Sequence, residues 1–137
     1  YSPSDVEGLW GEEFAVYEHF SKKLEKMKKD DERKFELAPY KTKLWIFSPI
    51  KNGFASIGLV DKYISPKAIL DEKVSPTKVI IKLYEGGSFL AYCQRTPKEI
   101  FVNATPLSKE LVSYAGSALE LDLSRWKGKK VEIEIRF

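Results

Sequence analysis

A chain of 137 residues, 43% hydrophobic and 31% charged, is long enough for one domain-sized core and too apolar to stay disordered. Lys and Arg outnumber Asp and Glu by only 23 to 20, which excludes a nucleic-acid partner held by a cationic face. No apolar run approaches the roughly 20 residues of a membrane helix, which excludes that kind of membrane partner.

Tyr1-Ser2-Pro3-Ser4-Asp5 has neither the charged nor the apolar segment of a signal peptide and reads as a break point within a longer protein. Residues 1–12 are expected to be a linker, and 13–137 a single β-sandwich domain. Residues 14–20 form the first predicted strand. The run "SKKLEKMKKDDERKF" has helical propensity, but Leu24 and Met27 give too narrow an apolar stripe to anchor a helix. A hairpin with residues 28–32 as its solvated tip is preferred. Strands at 43–47 and 54–60 flank Asn52-Gly53, a pair suited to a tight turn. Residues 65–70 suit one helical turn, with Ser65 capping and Pro66 at the first position.

Strands at 78–84 and 89–93 flank Glu85-Gly86-Gly87-Ser88, read as a hairpin on paired glycines. A short strand at 100–102 follows Pro97. Residues 119–123 and 130–137 alternate apolar and polar, with Gly128 in the turn between them available for positive φ. Short strands with turns every eight to twelve residues predict an all-β fold, a Greek-key-like antiparallel β-sandwich with little or no helix.

Candidate chemistry is sparse. His19 is the single histidine and Cys93 the single cysteine, so neither a metal site nor a disulfide is expected, nor any cofactor. Cys93 continues an alternating strand as a small core residue. A chain without disulfides is simplest to place in the cytoplasm. Asp5 with Glu7, Glu12 with Glu13, and Asp30-Asp31-Glu32 are neighbours in polar runs, the mark of a solvated face rather than of a catalytic pair facing across a cleft. Gly86-Gly87 lacks the Lys-Ser/Thr of a phosphate loop. Asn103-Ala104-Thr105 fits an N-glycosylation pattern that matters only in a secretory compartment. Three amides in all, Asn52, Gln94 and Asn103, against abundant Lys and Glu point to heat stability. Trp45 lies in an apolar run and reads as core. Trp10, Trp126 and Tyr63 are the candidates for contact with a sugar or a neighbouring domain.

In order along the chain, "SPSDVEG", "FAVYEHFSKKL", "LWIFSPI", "GFASIGLVDKYIS" and "GGSFLAYCQRTPKEIFVN" resemble the C-terminal end of raffinose synthases and related α-galactosidases of glycoside hydrolase family 36. Ser56, where plant relatives often have proline, and Ser65-Pro66-Lys67, in place of a glycine-rich loop, point towards a prokaryotic α-galactosidase. The resemblance implies an upstream (β/α)8 barrel holding two catalytic aspartates of a retaining mechanism, neither of which matches a motif here. No residue of this chain then inherits a catalytic role. The partners implied are that barrel, on the same polypeptide, and galacto-oligosaccharides reached through it. A free-standing carbohydrate-binding module using exposed Trp and Tyr is the alternative.

Overall fold

The computed structural model describes residues 1–34, 42–61 and 65–137, without the side chains of Ser65 and Pro66. Among these residues every strand pairing is antiparallel, the strands fall into three sheets, and helix is limited to short 3-10 turns. The all-β sandwich-like class read from the sequence is the one observed. The chain divides into two compact units, Tyr1–Ile50 and Lys51–Phe137.

The first unit is a three-stranded sheet of β1 (Glu13–Glu18), β2 (Lys23–Lys28) and β3 (Trp45–Pro49), with β1 in the middle. Period-2 alternation puts Phe14 and Val16 on one face. There they meet Met27 in a cluster packed by Tyr1, Leu9, Trp45 and Phe47. The lysine-rich β2 is a strand, as the narrow apolar stripe implied, because Met27 opposite Phe14 is drawn to zero exposure. Its hairpin turn lies at residues 19–22, where Lys22 takes a φ of 59°. The expected tip at 28–32 begins as a turn after Lys28, whose N–H donates to Asp31 Oδ2 at 2.8 Å. Residues 35–41, where a return limb would run, lie outside the described residues. Before β1, Ser2 and Asp5 form a capping box around a 3-10 turn at Pro3–Asp5. The Tyr1 ring lies 4.4 Å from that of Trp45.

The second unit holds two sheets. One runs β10 (Val112–Ala115), β11 (Ala118–Asp122), β7 (Ser88–Cys93), β4 (Phe54–Leu59). The other runs β5 (Ile69–Val74), β6 (Lys78–Leu83), β12 (Val131–Arg136), β8 (Glu99–Val102), β9 (Thr105–Pro106). Their inner faces share one core. Phe54, Leu59, Phe89, Ala91, Cys93, Leu119 and Leu121 come from the first, and Val79, Ile81, Leu83, Val102, Val131, Ile133 and Ile135 from the second. Cys93 is fully buried, as its place in the alternation implied.

Two connections show how local chemistry and packing divide the work. Asn52 and Gly53 have φ of 52° and 75°, the type I′ pattern, with reciprocal 2.9 Å bonds between Lys51 and Phe54. Glu85-Gly86-Gly87-Ser88, by contrast, does not close a hairpin. β6 pairs with β5 and β12, while β7 pairs with β11 and β4, so the glycines carry the chain from one sheet to the other. Neither glycine has positive φ. Gly86 is required because its backbone donates to Trp126 O at 3.0 Å, so close that a Cβ would collide with the Leu123 carbonyl oxygen. The helical turn expected at 65–70 is a 3-10 turn, Ser65–Ala68, that gives way at once to β5.

Gly86→Ala is therefore expected to destabilise by about 2–3 kcal/mol, because the added methyl would meet the Leu123 carbonyl oxygen and the carbonyl carbon and Cβ of Trp126. Gly128→Ala, which meets nothing within 4 Å and bears only the strain of a φ of 77°, should cost about 1–2 kcal/mol. Urea denaturation of both variants checks this; equal midpoints would contradict the close-approach account.

Candidate functional site

Trp10 stands in the first unit at 85% exposure, between Gly8 at φ 77° and Gly11 at φ 137°. Leaving an indole so bare forfeits roughly 2 kcal/mol or more of burial that a partner surface would recover. Trp126, in the second unit, is half-buried against the core at the end of a 3-10 turn, Ser124–Trp126. The Arg125 guanidinium lies 5.7 Å from its ring centroid. Tyr63 lies outside the described residues.

Three of the acidic neighbours singled out from the sequence serve local structure. Asp5 caps Ser2, Asp31 closes the turn after β2, and Glu13 pairs with Lys26. His19 sits beyond the end of β1, in the hairpin turn rather than on the strand, its ring edge-on to Phe20 at 5.0 Å. Among the described residues no three of His, Cys, Asp and Glu gather so as to hold a metal ion. The Cys93 Sγ–H donates to the Arg95 carbonyl at 3.0 Å, and burial pushes the thiol up to about 11, far from a reactive thiolate.

Two carboxylates escaped the sequence reading. Glu18, 4% exposed, accepts from the backbone N–H of Phe20 (3.0 Å), Ser21 (3.0 Å) and Leu44 (3.1 Å), with Lys43 Nζ at 3.5 Å. Burial alone would raise this carboxyl, but the backbone donors outweigh it and hold it at about 2. Glu72, on edge strand β5, accepts from Ser56 Oγ of edge strand β4 at 3.0 Å, and desolvation raises it. A carboxylate one residue before a turn is the only signal for Glu18; nothing in the sequence marks Glu72.

Two concavities of the second unit meet at Phe101 of β8. One groove, of about 320 Å3, lies on the outer face of the five-stranded sheet and is lined by Phe101, Asn103, Ala104, Glu132, Glu134 and Arg136. A second concavity, of about 490 Å3, shares Phe101 and is walled by Ile100, Pro106, Leu107 and Val112, with Lys98 and Lys109. Register explains the grouping, since Glu134 lies opposite Phe101, and Phe101 opposite Pro106. Arg136 Nε bonds Glu134 at 2.8 Å, and its guanidinium covers the Phe101 ring at 4.6 Å. Lys78 holds Glu134 from the other side at 3.6 Å. Asn103 donates its N–H to Glu132 O and accepts the Glu132 N–H on Oδ1, both at 2.9 Å.

A family model described as raffinose synthase or seed imbibition protein Sip1 matches residues 2–117. The chain is also similar to stachyose synthase of Pisum sativum, 30% identical over an aligned length of 105 that covers 72% of this chain. It spans only 12% of that protein's length.

Because the folded Glu18 carboxyl lies below its ordinary value of 4.5, its contribution is complete above that value and fades as pH falls towards about 2. The shift corresponds to about 3 kcal/mol. Glu18→Gln should lower the stability at pH 7 by at least about 1 kcal/mol and flatten the loss between pH 4.5 and 2, read by denaturation at several pH values. Parallel wild-type and variant curves would show that the carboxylate carries no such role.

Proposed function

This chain belongs to the family of raffinose synthase and seed imbibition protein Sip1, and we propose from there that it is the accessory β domain of a galactoside-processing enzyme. In this reading it follows a (β/α)8 barrel, packs on it and stabilises it, while the barrel supplies both aspartates of a retaining reaction. The observation that carries the proposal is the extent of the match. Residues 2–117 fit the family, yet the chain corresponds to only 12% of the length of the stachyose synthase it resembles. Residues 1–12 form the join, and Trp10, the barest large apolar side chain among the described residues of its unit, is the anchor offered to the barrel. Whether the parent protein hydrolyses galactosides or transfers galactose is a matter for the barrel.

The test is the longer polypeptide with and without this chain. The full protein should cleave an aryl α-galactoside, the 137-residue chain alone should not, and the barrel without the chain should be insoluble or melt several degrees lower. Trp10→Ala should destabilise the longer protein by about 2 kcal/mol while leaving the melting of the isolated chain within about 0.5 kcal/mol. Turnover by the isolated chain would overturn the accessory reading. The exposure of Trp10 also favours a second reading, a free-standing carbohydrate-binding module. That reading predicts saturable galactoside binding by the chain that Trp10→Ala abolishes.

A further inference from the structure

We propose that the groove around Phe101 on the outer face of the five-stranded sheet is a binding site for a neutral oligosaccharide, distinct from Trp10 and Trp126. A pyranose presents apolar C–H faces and a rim of hydroxyls, so its receptor needs an apolar wall beside fixed polar groups that both donate and accept. The groove has these parts. Phe101 and Ala104 form the apolar wall. Asn103, Glu132, Glu134 and Arg136 supply the polar rim.

Three features favour a built site over an incidental dent. The first is preorganisation. Asn103 is tied to the Glu132 backbone through both its own N–H and its side-chain oxygen, and Arg136 is held by Glu134 and by the Phe101 ring. Groups fixed before binding lose little entropy when a ligand arrives. The second is backbone strain at the rim. Ala104, a non-glycine residue at φ 65°, follows Asn103 at φ 51° in the turn that lines the groove, a conformation that costs a residue with a Cβ about 1–2 kcal/mol. The third is charge. The lining carries two carboxylates against one guanidinium, which disfavours phosphate and other anions, while hydroxyls suit carboxylate, amide and guanidinium alike.

The inference takes from the proposed function only the choice of a galactoside as the first probe. The 137-residue chain, isotopically labelled, is titrated with raffinose, with maltotriose and with inorganic phosphate while amide resonances are followed. One or both sugars should give saturable shifts confined to residues 99–106 and 131–136, with a dissociation constant on the order of 1 mM. Glu132→Gln, a change at an exposed side chain, and Phe101→Leu, which keeps an apolar residue there, should each weaken binding about tenfold. Their unchanged melting curves would exclude unfolding as the cause. No saturable shift with either sugar, shifts centred on Trp10 or Trp126, or phosphate binding in the groove would each overturn the proposal. None of these results bears on the accessory role, which the barrel experiment reads separately.

Discussion

The burial of Val131, Ile133 and Ile135 on β12 is the constraint around which the second unit is arranged. Each is at most 2% exposed, and each such side chain contributes about 1.5–3 kcal/mol by leaving water. β12 is the middle strand of its sheet, with β6 in register on one side and β8 on the other, so its apolar residues set which faces of both neighbours turn inward. Strand geometry then leaves no choice for the residues between. Glu132, Glu134 and Arg136 must face outward, where they meet Lys78, Phe101 and Glu99. The polar groove is the obligatory reverse side of the core.

Other tensions are resolved locally. Edge strands carry unpaired backbone groups, and both sheets of the second unit have an edge where β4 and β5 lie. Glu72 on β5 is held by the hydroxyl of Ser56 on β4, linking the two edges. A charge on an edge strand discourages another chain from adding a strand there. In the first unit, Glu18 plays the corresponding part by gathering the backbone of the β1–β2 turn and of Leu44 around one carboxylate.

Much of this fold was legible because β12, β11, β6, β7 and the core of β1 announce themselves by alternation or by unbroken apolar runs. β5 was missed because Ile69-Leu70-Asp71-Glu72-Lys73-Val74 is polar in the middle and interrupted by a bulge after Ile69. β9 and β10 are too short for periodicity to register. The glycine pair misled because local turn chemistry favours a hairpin, whereas the approach of the Trp126 backbone, forty residues away, decides its conformation. Site legibility was poorer still. Exposure distinguished Trp10 from Trp126, which is half-sunk in the core, and no sequence pattern separates those two outcomes. The groove is assembled from side chains some thirty residues apart, on strands whose adjacency is itself a product of folding.

The position of β12 has a consequence for biosynthesis. It is central in its sheet yet last of the strands in sequence. While the chain is being translated, β6 and β8 emerge with their facing edges unfilled, and the sheet stays split until residues 131–136 clear the ribosome. The first unit, whose described strand pairings fall within residues 13–49, can close long before then. Pairing that waits on distant sequence is slow and leaves sticky edges open in the meantime. A nascent chain of this protein therefore carries these open strand edges through the interval between the appearance of β6 and the arrival of β12.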